Sequence, residues 1–298
     1  LADRSDSGGQ RGITVDTSIQ WYPGHMTRAR RQVTADLAKV DLAIELVDAR
    51  IPLSSRNPDI DTIIGEKPRL ILLNKADLAD PDATRRFVER FRQAGLRSLV
   101  VEASTGKGTK QIGPMVEQAL GPLLQRWQQR GMRPRPLRVM ILGIPNVGKS
   151  SLINRLAGSK RTVTANRPGV TRGQQWVRFG EKLELLDTPG ILWPKFTDPL
   201  VALKLAATGA VSDLVVDVQA VARFILLHLR VRKPALLQER YRADMSGVEE
   251  AELLDIVGRR YGFLLPGNLV DQHKAAVQVL VDFRAGKLGH HTLDDDHE

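Results

Sequence analysis

The chain of 298 residues contains no cysteine, which excludes a disulfide framework and a thiolate metal site and fits a reducing compartment. A membrane-spanning run is missing as well. The most apolar long stretch, residues 210–229, is interrupted by Asp213, Asp217, Gln219 and Arg223, so it cannot supply the ~20 apolar residues that a spanning helix needs. The first twenty residues, LADRSDSGGQRGITVDTSIQ, lack the apolar core of a secretory signal and carry three Asp, which argues against an organelle transit peptide. Residues 1–20 are expected to form a flexible lead-in, and no internal repeat is visible. The expectation is a soluble, cytoplasmic chain with no membrane attachment.

What is abundant is positive charge. The chain carries 44 Lys and Arg against 34 Asp and Glu, giving +10 and a pI near 10.1, a balance that suits a polyanionic partner such as RNA or an acidic membrane surface. Its length fits an α/β core of about 150–200 residues plus a smaller domain. Apolar runs with strand character recur at 42–47, 70–73, 99–101, 139–142, 176–179 and 183–186, with helical patterns at 82–94 and 110–129 between them. Such alternation predicts a mostly parallel six-stranded sheet covered on both faces. Only Gly180-Glu181-Lys182 separates the last two strands, so that edge should be an antiparallel hairpin. Arg130-Gly-Met-Arg-Pro-Arg-Pro136 reads as a connector. Beyond Pro199 strand patterns stop, and helices are expected at 213–230, 248–261 and 272–285, with breakers at Pro234, Gly247 and Pro266-Gly267. The predicted division is a lead-in at 1–20, an α/β domain at 21–200, and a helical domain at 201–298 ending in a short solvated acidic tail from Asp294.

Gly143-Ile-Pro-Asn-Val-Gly-Lys-Ser150 matches the phosphate-loop pattern G-x-x-x-x-G-K-[ST], after a strand and before a helix. Backbone N–H groups there turn inward around phosphates at the positive end of a helix. Lys149 is placed to reach the β and γ phosphates and Ser150 to bind Mg²⁺; Asn146, Val147, Gly148 and Ser151 complete the expected phosphate contacts. Asp187-Thr-Pro-Gly190 closes the last strand of the hairpin, where Asp187 can hold the metal and the Gly190 N–H can face the γ-phosphate. Thr171 lies between the two, in a loop suited to offering its hydroxyl to Mg²⁺.

A second pattern, Asn74-Lys-Ala-Asp77, follows the strand at 70–73. Asp77 offers acceptor oxygens to the N1–H and N2 donors of guanine, which adenine lacks, and a buried carboxylate left unpaired penalises the wrong base. Asn74 can brace a neighbouring loop or contact the base edge, the Lys75 stem can cover the ring face, and Ala76 lies between them and Asp77. Ala103-Ser104, after the strand at 99–101, is the natural place for a backbone N–H to the guanine O6. The substrate read from these loops is GTP.

The base-reading loops come before the phosphate loop, the reverse of the usual order in small GTPases. A sheet is specified by which strands are neighbours, so a relocated chain break leaves the site intact if a connector rejoins the old ends. The helical pattern at 110–129 and the Pro/Arg connector are suited to that task.

The sequence resembles the circularly permuted GTPases, and within them the ribosome biogenesis GTPase A (YlqF-type) family with its mitochondrial relatives. The resemblance runs from Trp21 to Leu293. It rests on Trp21-Tyr-Pro-Gly-His-Met26, Asp48-Ala-Arg-Ile-Pro-Leu-Ser-Ser-Arg-Asn-Pro58, the three nucleotide motifs, and Asp282-Phe-Arg-Ala-Gly-Lys-Leu-Gly289. It implies an α/β P-loop GTPase fold, circularly permuted, with a C-terminal all-helical domain. It also implies a GTP-dependent factor acting late in assembly of the large ribosomal subunit, with the helical domain on ribosomal RNA. A monomer is expected.

Ile191 stands after Gly190, where many GTPases carry the glutamine that orients the attacking water, and isoleucine has no polar atom for that task. The resemblance nominates His25 instead, since an imidazole orients water in either protonation state. It also supports Asn146 as a ligand of K⁺, a monovalent cation offsetting transition-state charge. Arginines at 28, 30 and 31, at 126, 130, 133, 135 and 138, and the Arg230, Arg232, Lys233 group suit RNA backbone contacts, with Trp127 and Tyr241 as candidate stacking groups. The competing reading is an RNA-binding protein in which GTP is a structural ligand with little turnover.

Overall fold

Six strands form one sheet in the order β3-β2-β1-β4-β6-β5. They are β1 (Leu42–Asp48), β2 (Arg69–Asn74), β3 (Arg97–Val100), β4 (Leu137–Leu142), β5 (Gln175–Phe179) and β6 (Leu183–Asp187). The computed structural model describes residues 31–133, 135–158, 175–179, 182–187 and 198–295, with Gln175 and Asp187 described in their backbone only. All pairings are parallel except β5 with β6, which is antiparallel as the short Gly-Glu-Lys connection predicts. The central strand β1, Leu-Ala-Ile-Glu-Leu-Val-Asp, is buried at every position, the continuous apolar signature of a parallel strand with helices on both faces. Each fully buried Leu or Ile there contributes roughly 1.5–3 kcal/mol relative to exposure.

The covering helices include residues 31–37 (α1), α2 (Ile60–Ile64) and α3 (Pro81–Gln93). The Asp80 side chain accepts from Asp82 N and Ala83 N and so starts α3, with Pro81 at its first turn. Instead of one helix over 110–129, the structure has a 3-10 turn (Thr109–Gln111), then α4 (Ile112–Ala119) and α5 (Gly121–Gln129). The break follows from Gly121-Pro122: proline has no N–H to continue α4 but opens α5 well.

α6 (Lys149–Leu156) follows the phosphate loop between β4 and β5, and after the sheet come α7 (Pro199–Ala207), α8 (Val218–Arg232), α9 (Pro234–Tyr241), α10 (Leu253–Tyr261) and α11 (Gln272–Arg284). Pro234 ends α8 as expected of a breaker, and also begins α9, a helix the sequence pattern did not predict. The helix expected from 213 begins only at Val218, because the Asp217 side chain accepts from Gln219 N and Ala220 N and fixes the start there. The expected helix at 248–261 starts as a 3-10 turn and becomes α10 at Leu253. Strand structure also reappears beyond Pro199, as a small hairpin of β7 (Leu264–Leu265) and β8 (Leu269–Val270) around Pro266-Gly267. One apolar cluster runs without interruption from the sheet through these helices, joining Leu46, Ile141 and Leu185 to Ala206, Leu226 and Phe283.

The acidic tail is not wholly solvated. Asp294 is 3% exposed: it accepts from Leu53 N at 2.7 Å, Ser54 N at 2.9 Å and Ser54 Oγ at 2.6 Å, and pairs with buried Lys204 at 3.1 Å. A carboxylate with this many donors is stable away from water.

Candidate nucleotide site

The nucleotide motifs that the structure describes lie at the carboxyl ends of parallel strands, where open α/β sheets bind ligands. The register fixes the neighbours: Asp48 at the end of β1 lies beside Asn74 at the end of β2, and the backbone of Asp187 lies beside Ile141, two residues before Gly143.

The phosphate loop curls tightly between β4 and α6. Asn146 has φ +56°, a left-handed conformation that asparagine tolerates, and Gly148 has φ +104°. A Cβ on Gly148 would stand 2.3 Å from Asn74 Nδ2, so only glycine fits. The N-terminus of α6 has no side-chain cap, leaving its first N–H groups facing the loop. Lys149 is buried, and its ammonium donates to Gly143 O at 3.0 Å and Ile144 O at 2.7 Å, which aims its charge into the curve of the loop. Val147 is buried, while Ser150 and Ser151 are half-buried on the first turn of α6.

Asn74 joins the two halves of the site. Its Nδ2 donates to Val147 O at 2.8 Å in the phosphate loop, and its Oδ1 accepts from Ala103 N at 2.9 Å in the loop after β3. Of the two roles open to Asn74, the side chain is thus seen in the bracing one. Asp77 is half-buried on a 3-10 turn (Ala76–Leu78) and accepts from Ser104 Oγ at 3.4 Å, so the two base loops face one another. Lys75 has φ +61°, and its ammonium pairs with Asp48 at 3.1 Å.

Three residues to which the sequence reading gave no role hold this arrangement. Asp48, 2% exposed, binds Arg50 through Nε–Oδ1 at 2.9 Å and Nη2–Oδ2 at 2.7 Å as well as Lys75. Burial alone would push the Asp48 carboxyl up, but these two cations hold it well below the usual carboxylate range. Burial pushes the Lys75 ammonium down, with Asp48 opposing. Arg155, on the last turn of α6, donates to Ala103 O at 3.3 Å and to Ser104 O, tying the base loop to the phosphate-loop helix. No local pattern marks Arg155; the Asp48-Ala-Arg50 motif was visible, its partners were not.

His25, Thr171, Gly190, Ile191 and the Trp21–Met26 motif lie outside the described residues, as do Arg28, Arg30 and the Asp187 side chain. Among the basic groups, Arg126, Arg130 and Arg133 are exposed. Arg135 pairs with Asp41 at 2.8 Å and lies over Trp127 at 4.5 Å, and Arg138 pairs with Glu184 at 3.3 Å over Trp176 at 5.4 Å. Arg230 turns inward to Val248 O at 2.6 Å, Arg232 pairs with Asp295, and Lys233 pairs with Asp80 at 3.2 Å. Tyr241 is 1% exposed and unavailable for stacking on a base: it packs edge-on against Tyr261 at 6.4 Å.

A phosphate loop, a facing guanine-type loop and a strand order opened between them define a circularly permuted P-loop GTPase. Known proteins agree. Residues 138–238 match the family model described as 50S ribosome-binding GTPase; the match starts in β4, leaving Asn74–Asp77 upstream of it. The chain is 49% identical over 282 residues to "Ribosome biogenesis GTPase A" of Priestia megaterium, covering 94% of this chain and 98% of that one. It is 33% identical to "Mitochondrial ribosome-associated GTPase 1" of Bos taurus over 93% and 89% of the respective chains. The structure of GNP-bound YlqF from T. maritima superposes with a TM-score of 0.64 at 25% identity, covering 91% of this chain and 99% of that one; a GDP-bound YlqF gives 0.61 at 26%, covering 90% and 100%. The chain belongs to the ribosome biogenesis GTPase A family.

Proposed function

We propose that this GTPase acts late in assembly of the large ribosomal subunit, and that its nucleotide state controls binding to and release from the precursor particle. It binds GTP and hydrolyses it to GDP and phosphate. The observation that carries the reading of the site is the Asn74 side chain, which bonds the phosphate loop with one end and the Ala103 loop with the other. Two segments far apart in the chain thereby grip opposite ends of one ligand.

In this reading Asp77 selects guanine, Ala103 and Ser104 face its O6 edge, and Lys75, held by Asp48, covers the ring. The phosphate-loop N–H groups and Lys149 bind the phosphates. Ser150, Thr171 and Asp187 are the residues that would hold Mg²⁺, and their oxygens suit a hard cation; the ion would screen charge on the β and γ phosphates. The un-capped start of α6 and the Ser150 hydroxyl on its first turn fit that role. Asn146 is the proposed K⁺ ligand, and His25 the group that orients water in place of the absent glutamine. Residues 21–200 form the nucleotide module after a lead-in at 1–20, and residues 201–298 the helical module. Ribosomal RNA is contacted through exposed arginines such as Arg126, Arg130 and Arg133. Among the described residues no helix is long and apolar enough to cross a membrane, and a monomer working in the cytoplasm is the state we infer.

The test is sedimentation of the tagged chain with large-subunit precursors in GTP, GDP or a non-hydrolysable analogue, together with single-turnover hydrolysis with and without particles. Co-sedimentation that depends on nucleotide, with faster hydrolysis on the particle, is expected. Co-sedimentation indifferent to nucleotide would refute the switch.

A further inference from the structure

Two sequence motifs remain without a role in nucleotide binding, Asp48–Pro58 and Asp282–Gly289, and they meet at the end of α7. That helix closes with Gly209 at φ +79°; Ala210 N donates back to Leu205 O at 2.9 Å and Gly209 N to Ala206 O at 3.0 Å, the paired bonds of a glycine-closed helix end. Side chains from elsewhere also donate to the carbonyls of this helix end. Arg284 donates from Nη2 to Ala206 O at 2.7 Å and from Nε to Ala207 O at 3.0 Å, while pairing with Asp213 at 2.7 Å. The next two carbonyls accept from Arg50 and from the phosphate loop. Arg50 Nη2 donates to Thr208 O at 3.4 Å, and Asn146 Nδ2 donates to Gly209 O at 2.7 Å.

We propose that the Thr208–Gly209 turn is a structural part of the nucleotide site, and that Arg284, which holds the turn, is a positioning residue for nucleotide binding. The phosphate loop meets one carbonyl of the turn directly, and the base loop is linked to the other through Arg50 and Asp48. Gly209 orients the side chain of Asn146 inside the phosphate loop. Thr208 takes one bond from Arg50, whose guanidinium otherwise clamps Asp48, and Asp48 in turn holds Lys75 of the base loop. Arg50 has little freedom to change partners: it is 2% exposed, and its Nη1 is buried without a hydrogen bond. The C-terminal motif supports the same place from behind. Phe283 lies 5.8 Å from the Arg50 guanidinium, and Gly286 abuts Leu78 of the base loop, where a Cβ would come within 2.8 Å of Leu78 Cδ2. Ligand contacts at either loop therefore change the free energy of the turn, and by linkage the turn changes ligand affinity equally.

The proposal rests on the reading of the two loops as the nucleotide site, and its test separates the two. Fluorescent mant-GDP is titrated into the full-length wild type and the Arg284→Met, Arg284→Lys and Arg240→Met variants, with Tm measured for each. Arg240 is the control because it anchors the same helix α11, through Asp282 at 2.7 Å, from α9 rather than from the end of α7. Arg284→Met should weaken mant-GDP by about tenfold, with Arg284→Lys intermediate, while Arg240→Met lowers Tm and leaves affinity within about twofold. In the wild type, GDP should slow hydrogen exchange at the Gly209 and Ala210 amides. Wild-type affinity in a folded Arg284→Met, or an equal loss in Arg240→Met, overturns the inference. Should Arg284→Met not fold, unchanged exchange at those amides on adding GDP overturns it. A wild type that binds no mant-GDP removes the reading of the site itself.

Discussion

Replacing Asn74 with alanine removes one amide and strands two backbone groups. Val147 O loses its 2.8 Å donor and Ala103 N its 2.9 Å acceptor, and both residues are at most 5% exposed, so water does not readily substitute. A buried polar group left without a partner costs about 1–3 kcal/mol. The pair therefore amounts to about 2–6 kcal/mol, a large part of the ~5–15 kcal/mol that holds a domain folded. The same deletion uncouples the phosphate loop from the base loop, so nucleotide affinity should fall along with stability. Asp77→Ala is the informative contrast, because Asp77 is half-buried and makes a single 3.4 Å contact with Ser104; it should lose guanine nucleotide while keeping its urea midpoint near wild type. Urea denaturation and mant-GDP titration of both variants give the answer. An Asn74→Ala variant with a wild-type urea midpoint would refute the bracing role, since the stranded groups would then have found other partners.

Asp77→Asn presents an amide donor where the carboxylate offered only acceptors, so GTP binding should drop and xanthosine triphosphate, with a carbonyl at C2, should gain; competition titration with both nucleotides checks this, and unchanged preference speaks against the assignment. Burial, with the charges of Arg232, His291 and Lys204 adding to it and Asp295 opposing, pushes the His228 imidazole down to about 4. Its unfolded form takes up a proton near pH 6.5 while the folded form resists, so stability should decline as pH falls from 7 to 5, by about 2 kcal/mol from this group; His228→Gln should flatten that stretch of the urea-midpoint profile, and an unflattened one sinks the attribution. GTP turnover should be faster in KCl than in NaCl if Asn146 holds K⁺, and equal rates would remove that role.

Strand positions were legible because the runs of β1, β2 and β4 are buried almost throughout, and the nucleotide motifs because each sits where a strand ends. Their joint geometry was legible from the permuted order alone, since neighbours in a sheet need not be neighbours in the chain. What escaped depended on contacts across the fold. Pro234 reads as a breaker locally, yet at a first helical turn its missing N–H costs nothing. Asp294 looked like part of a charged tail because no sequence pattern reveals the three donors that wait for it near Ser54. Tyr241 was a plausible base-stacking group until its burial was known. Arg155 and Arg50 act through backbone carbonyls, which leave no residue-type signature at the accepting end.

The props of the guanine loop are made long after it, 212 residues later in the case of Asp80 and Thr292. Leu78 O accepts from His291 N at 3.1 Å, Asp80 N donates to the Thr292 hydroxyl at 3.3 Å, and Arg50 O accepts from Leu293 N at 2.7 Å. A nascent polypeptide thus exposes its base-reading segment early but cannot seat it until residue 293 has been made. Nucleotide capture is then expected to begin abruptly rather than by degrees, a point that arrested chains ending before and after residue 293 would decide by their retention of labelled GDP: equal retention by both would show that the late-arriving residues are dispensable.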